Sequence, residues 1–385
     1  MTRGSIVFLV STFEPAVGGT VRQTANQARE LRRRGFDVTV LTRRHDDELP
    51  ATEERDGVRV VRVGPRGLGA AGKLWALCRW AGFLRRRRGE LVAVQAVMHP
   101  DFLLSAALAG VWKRAALLWV TDGDAQLALR GRTRARRPLA ALRRFAVRRV
   151  ANVVLTPGMA DELRGFGVSE PRVIPVPVDL DRFRPAEPAH RRRAREALGV
   201  DERQVVVAFS GHIEPRKRLD RLIGAQAALV GAGRELHLLI VGGDPNPGAG
   251  HGAELQRLAS ERGVRERVTV TGAVPDVREP LAAADVFALV SDREGMPNCL
   301  LEAMACGIPC VAPPSAGGHE LLATGGGRVP PSNDLDAIEQ ALRELVDDGE
   351  LRRDLGARAR DVAGRFSLDR VTGLYEQLYG GLARR

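Results

Sequence analysis

The chain has 385 residues, of which 44% are apolar and 28% charged, a composition typical of a globular protein with more than one core. The formal net charge is +12, and the excess lies in residues 1–180, which carry 31 Lys and Arg against 17 Asp and Glu, whereas the remainder carries 28 against 30. A nucleic-acid-binding surface interleaves basic residues with stacking aromatics. Aromatic residues make up only 4% of this chain, so we expect no nucleic-acid partner.

The apolar runs are short. The first covers residues 6–10 and turns polar at Ser11, and no run approaches the roughly 20 apolar residues that span a bilayer. We therefore expect a cytoplasmic protein whose first run is a buried strand. The cysteines form no C-x-x-C pair, and we expect them to be buried, reduced thiols. They are Cys78, Cys299, Cys306 and Cys310.

The first half predicts alternating strands and helices. Apolar, β-branched runs predict strands at 6–10, 38–42, 58–63, 91–97, 116–120 and 153–156. Helices are predicted at 20–34, ending at Gly35, and at 73–88. Continuous apolar strands between amphipathic helices indicate a parallel sheet that is covered on both faces.

A proline-rich connector at 173–185 interrupts this alternation, and because proline fixes φ we expect it to be extended and to mark a domain boundary. The pattern then restarts, with strands predicted at 205–210, 236–241, 268–271, 286–290 and 310–312. We predict two Rossmann-like, doubly wound α/β domains facing a cleft, over residues 1–180 and 190–365. The chain contains no phosphate loop of the G-x-x-x-x-G-K-[ST] type.

The strongest functional signal follows the predicted strand 286–290. Ligands bind at the carboxyl ends of strands in open α/β sheets, and Glu294 lies at such an end. Gly295 permits close approach of the backbone to a ligand, and Pro297 suits the first turn of a helix whose N–H groups favour a pyrophosphate. Glu302 lies about one turn into that helix. Two carboxylates near a helix start are suited to accepting hydrogen bonds from sugar hydroxyls.

The whole motif, Glu294-Gly-Met-Pro-Asn-Cys-Leu-Leu-Glu302-Ala-Met-Ala-Cys-Gly-Ile-Pro309, strongly resembles the signature of the family-4 retaining glycosyltransferases of the GT-B fold. The resemblance extends over nearly the whole chain and includes the proline-rich connector. It implies that Glu294 holds the hydroxyls of the donor sugar and that Glu302 holds the nucleotide ribose. It also implies that a helix over about 366–385 crosses back to the first domain. The motif residues assigned to the donor site are Gly295, Met296, Pro297, Leu301 and Glu302.

A second signal is the loop Gly211-His-Ile-Glu-Pro-Arg-Lys-Arg218, which follows a predicted strand. The family pattern is G-R-x-x-x-x-K-G, with the arginine and the lysine on the donor phosphates. Lys217 matches that lysine, whereas His212 stands in place of the arginine and Arg218 in place of the last glycine. We expect Lys217 to neutralise a diphosphate leaving group and Arg216 to supply the missing positive charge.

Two further loops are assigned to the donor site by the resemblance. Gly18 and Gly19 precede the first helix and would approach the donor phosphates from the first domain. Gly272 and Val274 follow a strand in the second half and would lie beside the nucleotide base, where backbone groups make the contacts.

The catalytic group of the first domain is the point at which the chain departs from the family. Many relatives have a histidine after the strand that ends here at Val120, where this chain has Asp122. Asp122 is therefore one candidate for the group near the acceptor hydroxyl. His99 is the other, because it also lies at the carboxyl end of a predicted strand.

The segment from Lys73 to Arg88 mixes aromatic and basic residues. On a helix, Trp75 and Trp80 do not share a narrow stripe, so one of them, or Leu84, is expected outside the core. Such a helix is attracted to anionic lipid, which predicts peripheral contact with the inner face of a membrane. An ordinary packed helix with an arginine-rich end is the alternative.

The sequence thus predicts transfer of a hexose-type sugar from a UDP- or GDP-linked donor to an acceptor hydroxyl with retention of configuration. The acceptor is a lipid-linked or cell-envelope glycan, or a small natural-product aglycone. No cofactor and no obligatory metal are expected, because the cations and a helix N-terminus stabilise the leaving group. A nucleotide-sugar epimerase of the same architecture and an inactive scaffold remain open alternatives.

Overall fold

The computed structural model describes residues 3–16, 18–64, 69–120, 123–130, 137–245, 248–314 and 316–384. The chain divides into two compact units. Unit 1 comprises Met1–Pro177 and Leu368–Arg385, and unit 2 comprises Val178–Ser367. Each unit has its own sheet with helices packed against it.

The sheet of unit 1 has eight strands. They are β1 (Ser5–Leu9), β2 (Asp37–Arg43), β3 (Thr52–Arg55), β4 (Val58–Val63), β5 (Leu91–Val97), β6 (Ala115–Leu118), β7 (Ala151–Val154) and β8 (Arg172–Val173). Their order is β3-β4-β2-β1-β5-β6-β7-β8, and β3–β4 is the antiparallel pair. All five side chains of β1 are buried, as expected where helices cover both faces. The strand order reverses at β1, which places a ligand-binding switch point between β1 and β5.

The helices of unit 1 follow its strands. They are α1 (Gly19–Arg33), α2 (Gly69–Arg86), α3 (Leu103–Leu108), α4 (Asp124–Leu129), α5 (Arg137–Val147) and α6 (Pro157–Gly165). The chain leaves α1 through Gly35, whose φ of 89° is in the left-handed region that glycine tolerates. Helix α6 starts with Pro157 in its first turn, and the Thr156 hydroxyl accepts a hydrogen bond from the Met159 N–H (3.3 Å).

The sheet of unit 2 has six strands. They are β9 (Val205–Ser210), β10 (Leu236–Val241), β11 (Val268–Val270), β12 (Val286–Ala288), β13 (Cys310–Val311) and β14 (Gly327–Arg328). Their order is β11-β10-β9-β12-β13-β14, with every pair parallel. The order reverses between β9 and β12, so the switch point of this sheet lies between those two central strands.

Eight helices of the described chain cover this second sheet. They are α7 (Pro188–Ala197), α8 (Leu219–Gly231), α9 (His251–Glu261), α10 (Arg278–Leu281), α11 (Asn298–Ala305), α12 (Ala316–Leu322), α13 (Leu335–Asp347) and α14 (Gly349–Gly364). Helices α13 and α14 start at the aspartate caps Asp334 and Asp348, whose carboxylates each accept a backbone N–H (2.9 Å in both).

The last helix, α15 (Leu368–Ala383), belongs to unit 1. Its Tyr379 hydroxyl is buried, accepts a hydrogen bond from Gln27 Nε2 (3.1 Å) and donates to the side chain of Gln95 on β5. Glu376 accepts hydrogen bonds from Arg3 (2.6 Å) and Arg34 (2.7 Å). The C-terminal segment is thus held to unit 1 by a buried polar network and by ion pairs.

The fold class predicted from the sequence, two doubly wound Rossmann-like units, is confirmed. The helix predicted at 73–88 is α2, which covers Gly69–Arg86 and so begins and ends earlier than predicted. Strand β3, β8 and β14 were not predicted, being two to four residues long without an apolar run. No helix in the described parts of the chain combines the length and hydropathy needed to cross a membrane.

Candidate active site

The loops after β9 and β12 contain the two strongest motifs of the sequence. Because these strands are neighbours at the switch point, their carboxyl ends open the crevice in which ligands bind in such folds. The Asp292 N–H donates to the carbonyl of Arg216 (2.9 Å), which ties the two loops together. The Asn333 side chain supports the second loop, since its Nδ2 donates to the carbonyls of Val290 and Ser291 (3.1 and 3.2 Å).

A buried ion pair joins the two motifs. Lys217 Nζ donates to Glu294 Oε1 at 2.6 Å, and the two residues are only 7% and 8% exposed. Arg216 Nη1 reaches the same oxygen at 3.2 Å. Charges removed from water to this extent must be paired. The arrangement places one carboxylate and two cations together at the carboxyl ends of the central strands.

Helix α11 begins beside this pair. Pro297 is its N-cap residue in extended conformation, which corrects its expected position within the first turn. The N-terminus of a helix favours anions, because its first N–H groups and the positive end of its dipole face outward. Glu302 lies one turn into α11 and is 5% exposed. The roles of Pro297 and Glu302 in donor binding stay predictions.

Glu214 positions the cation beside Lys217. Its Oε2 accepts a hydrogen bond from Arg216 Nε (2.9 Å), and its Oε1 lies 3.6 Å from Nδ1 of His212. The Arg216 side chain, 47% exposed, therefore stands between the carboxylates of Glu214 and Glu294. The sequence analysis did not single out Glu214, which lies two residues from both partners along the chain.

Arg218 shows why the family has glycine at its position. Its φ and ψ are 51° and 39°, the left-handed conformation that a side chain rarely adopts. Its guanidinium bonds Asp220 (3.0 Å) and Asp292 (3.5 Å). The hydrogen bond from Arg218 is also the main reason why the pKa of Asp220 is lowered.

Three glycines allow the strand ends of unit 2 to converge. Gly211 follows β9, Gly242 follows β10 and Gly272 lies after β11; Gly242 and Gly272 form an isolated bridge. Gly242 has φ 147°, and a Cβ there would lie 1.9 Å from the carbonyl oxygen of Gly211. The sequence analysis missed Gly242, although the Gly-Gly pair directly after an apolar strand was a usable signal.

The other predicted donor-site residues occupy different environments. Gly295 and Met296 are buried in the turn between Glu294 and α11, and Val274 is half-buried in the loop after β11. Leu301 has no exposed surface. Its assignment to the donor site stays a prediction.

The cysteines are all free thiols. Burial raises the pKa of Cys299 and Cys306 to about 12, and that of Cys310 lies well above its usual value for the same reason. Cys78 on α2 is exposed, which corrects the expectation that all four are buried.

In unit 1, Gly18 and Gly19 begin α1 beside that sheet's switch point. Gly18 is the N-cap residue in extended conformation, and a Cβ there would meet nothing within 4 Å. The chain itself therefore does not require glycine at residue 18. Phosphate contact through this loop stays a prediction.

His99 follows β5 and packs edge-on against Phe102 at 5.1 Å. Desolvation by burial is the main cause that lowers the pKa of His99. Asp101 opposes this shift, whereas Lys73 and Arg143 add to it. The ring is therefore neutral near pH 7. Asp122, the alternative candidate, lies outside the described residues.

Helix α2 has one exposed tryptophan. Trp75 and its neighbour Leu74 are 46% and 57% exposed, whereas Trp80 and Leu84 are fully buried. The guanidinium of Arg79 lies over the Trp75 ring at 5.7 Å. The expectation that one large residue of this segment lies outside the core is confirmed, and contact with a membrane stays a prediction.

Two family models match the chain. “Glycosyltransferase Family 4” matches residues 17–182, and “Glycosyl transferases group 1” matches residues 190–362. A D-inositol 3-phosphate glycosyltransferase of Saccharomonospora viridis is 32% identical over 389 residues, covering 94% of this chain and 89% of that protein. A GDP-mannose-dependent alpha-(1-6)-phosphatidylinositol monomannoside mannosyltransferase of Mycolicibacterium smegmatis is 41% identical over 207 residues, 51% of each chain.

Solved structures of the same fold cover almost the whole chain. A sucrose-phosphate synthase from Thermosynechococcus elongatus has a TM-score of 0.80 at 21% identity, covering 99% of both chains. Anabaena HepE in complex with UDP-glucose has a TM-score of 0.79 at 18% identity, covering 98% of this chain and all of that one. With a relative above 30% identity over nearly its full length, and both halves matched by family models, the chain belongs to glycosyltransferase family 4 and is a glycosyltransferase.

Proposed function

We propose that this glycosyltransferase moves a hexose from a UDP- or GDP-linked donor to an acceptor hydroxyl with retention of configuration at the anomeric carbon. The observation that carries the proposal is the buried Lys217–Glu294 pair at the switch point of unit 2. Unit 2 is then the donor-binding domain, and unit 1, with α15, the acceptor-binding domain.

Donor binding exchanges the partners of this pair. Without a donor, Lys217 and Arg216 neutralise Glu294. A diphosphate is a stronger partner for both cations, and its arrival leaves the Glu294 carboxylate to accept hydrogen bonds from the sugar hydroxyls. Glu302 accepts from the ribose hydroxyls. In both states the two cations have an anionic partner and the Glu294 carboxylate has hydrogen-bond donors.

The chemistry follows from where charge develops. The bond between the anomeric carbon and the β-phosphate oxygen breaks, and its electron pair stays on the diphosphate. Lys217, Arg216 and the N-terminus of α11 stabilise that growing negative charge. The acceptor oxygen bonds to the anomeric carbon from the same face, and its proton passes to the departing phosphate oxygen. No protein nucleophile takes part in this sequence.

The names of relatives favour particular substrates. One relative is named for D-inositol 3-phosphate, and another for GDP-mannose and a phosphatidylinositol monomannoside. These names support GDP-mannose as the first donor to test and a lipid-linked acceptor. In unit 1, Gly18 and Gly19 would approach the donor phosphates, and His99 or Asp122 would lie beside the acceptor hydroxyl.

Peripheral contact with an anionic membrane surface is part of the proposal. Leu74 and Trp75 are exposed on α2, whose C-terminal end carries Arg85 and Arg86. Exposed apolar residues with nearby arginines suit the interface of an anionic bilayer.

The test is a panel of UDP-glucose, UDP-N-acetylglucosamine and GDP-mannose, scored by thermal stabilisation and by slow hydrolysis of the donor. We expect one donor to stabilise the wild-type protein. Lys217→Met and Glu294→Gln should each lower hydrolysis of that donor by about 10²–10³-fold, the usual loss when one group that stabilises developing charge is removed.

Glu344→Gln is the matched control, because Glu344 pairs with Arg328 on an exposed part of unit 2. It should hydrolyse the donor like the wild type. Stabilisation by none of the three donors, or wild-type hydrolysis in both site variants, would contradict the proposal. Hydrolysis should also persist in EDTA, because protein cations rather than a bound metal neutralise the diphosphate; loss restored by added Mg²⁺ would refute that part.

A further inference from the structure

Unit 1 contains a cavity of about 550 Å³ with mostly apolar walls. Helices α2, α3 and α5 form these walls, and the side chains of Trp80, Phe102 and Trp112 contribute the aromatic surface. Cavities of this size with a few convergent polar groups are typical of ligand sites. No residue of the cavity belongs to the Lys217–Glu294 site, which lies in unit 2.

The rim of the cavity is unusually apolar. Ten large hydrophobic residues are exposed in the described part of the chain, and five of them line this one cavity. They are Leu74, Leu104, Leu139, Leu142 and Phe145. Three of the five form a stripe on α5 at a spacing of three residues, exposed by 43%, 60% and 54%. An exposed apolar patch of this kind is typical of a surface that binds a ligand, a membrane or another protein.

Several charged side chains also line the cavity. Asp101 is neutralised there by Arg143, whose Nε and Nη2 each donate to its carboxylate at 2.6 Å. Lys73 and Arg43 also line the cavity, and neither has an ion pair with any residue that the structure describes. His99 is a further lining residue. The local charge is therefore positive, and complementary to an anionic group.

We infer that this cavity binds an anionic amphiphile as the acceptor, with the hydrocarbon chain against α2, α3 and α5 and the charged headgroup facing Lys73 and Arg43. The inference rests on the proposed transfer reaction and names the substrate class of its acceptor. The headgroup hydroxyl then lies on the side of His99, at the switch point of unit 1. A small polar acceptor would leave the leucine-rich rim uncovered.

The direct test is binding of dodecyl phosphate below its micelle concentration, compared with inorganic phosphate and the neutral dodecyl maltoside. All four tryptophans of the chain lie in unit 1, and Trp80 and Trp112 line the cavity. Tryptophan fluorescence therefore reports on occupancy. We expect saturable binding of dodecyl phosphate, weaker binding of the maltoside and no comparable response to phosphate alone.

Two variants test the part of the cavity that would hold the hydrocarbon chain. Leu142→Glu places a carboxylate on the apolar rim, and Ala107→Phe fills the cavity from α3. Each should weaken binding of dodecyl phosphate by about tenfold or more, since a charge or lost volume opposes burial of the chain. Leu127→Glu is the matched control, because Leu127 is equally exposed, at 56%, and does not line the cavity.

A third variant acts on the headgroup. Lys73→Met should weaken dodecyl phosphate several-fold and leave dodecyl maltoside unchanged, whereas Lys113→Met, on an exposed turn outside the cavity, should change neither. Equal binding of phosphate and dodecyl phosphate would overturn the inference. Unchanged binding of dodecyl phosphate in Leu142→Glu and Ala107→Phe would also overturn it. If the variants instead lose only their binding to anionic vesicles, this face is a membrane contact and the cavity holds no hydrocarbon chain.

Donor hydrolysis separates this inference from the proposed function. Leu142→Glu, Ala107→Phe and Lys73→Met should retain wild-type hydrolysis of the donor without acceptor, because none of these three residues is assigned to the donor site. Failure of amphiphile binding with intact hydrolysis would refute the acceptor site alone. Absence of hydrolysis in the wild type would refute the proposed function, whatever the cavity binds.

Discussion

The two units share a topology and differ in how their candidate sites are built. In unit 2, buried charges and close-packed glycines form the site, so Lys217, Glu294 and Gly242 belong to the fold as much as to the chemistry. In unit 1, the cavity is bordered by side chains such as Leu142 that are exposed. Changes at the first site should therefore alter stability and activity together, whereas changes at the second should alter binding alone.

The largest expected effect comes from separating the buried pair. Lys217→Met leaves the Glu294 carboxylate buried with only Arg216 near it, which should destabilise unit 2 by about 3 kcal/mol. The double variant Lys217→Met/Glu294→Gln removes both charges and should recover most of that loss, yet stay inactive. Urea unfolding followed by circular dichroism and by tryptophan fluorescence separates the units, because all four tryptophans are in unit 1.

The control for the pair is Arg234→Met, which breaks an exposed ion pair with Asp347 (2.8 Å) and should lower the free energy of unfolding far less than Lys217→Met does. A double variant no more stable than Lys217→Met would contradict the view that an uncompensated buried charge causes the loss.

Backbone close-packing gives the second effect. Gly242→Ala places a Cβ 1.9 Å from the Gly211 carbonyl oxygen at a φ of 147°, and should destabilise unit 2 by about 3 kcal/mol. Gly231→Ala, at the end of α8 where a Cβ meets nothing, should be neutral or stabilise by up to about 0.5 kcal/mol. Equal unfolding midpoints for the two variants would show that the strand ends are not tightly constrained.

The sequence predicted the long apolar strands and the helices between them because burial on both faces leaves a continuous run of Val, Ile and Leu. The bounds of β4 and β5 were predicted to the residue. Strand β3 was missed because Thr52–Arg55 contains no apolar residue and is held by pairing with β4. Strand β14 was missed for a similar reason, since its two residues show no strand pattern and it is defined by its pairing with β13.

The two motifs of the candidate site could be recognised in the sequence because the residues of each lie close together along the chain. Lys217 and Glu294 come from two such motifs, and the topology alone makes them neighbours. The cavity of unit 1 could not be predicted from the sequence, because its rim consists of apolar residues from three helices that are far apart along the chain and form no motif. Leu301 shows that a motif residue can also be fully buried.

An effect of intermediate size concerns acid stability and again lies in unit 2. His237 on β10 is buried and bonded to Thr269 (2.9 Å). Burial, with smaller contributions from Arg195 and Arg267, lowers its pKa to about 4. Because the unfolded chain takes up a proton near pH 6.5 and the folded one does not, stability should fall by roughly 2–3 kcal/mol between pH 6.5 and 4.

His237→Gln keeps a donor for Thr269 and removes the titration. Its free energy of unfolding should therefore change less than that of the wild type between pH 7 and pH 4, in the circular dichroism transition of unit 2. Identical pH profiles for the two proteins would assign the acid sensitivity to other groups.

The smallest expected effect tests the other half of the comparison. Leu142 is 60% exposed and contributes little to the core of unit 1, so Leu142→Glu should change the free energy of unfolding by less than about 0.5 kcal/mol. The tryptophan-monitored transition measures this directly, with Leu127→Glu as its partner. A loss of 2 kcal/mol or more in Leu142→Glu alone would show that the cavity rim is part of the core, and its exposed leucines would then need no ligand to explain them.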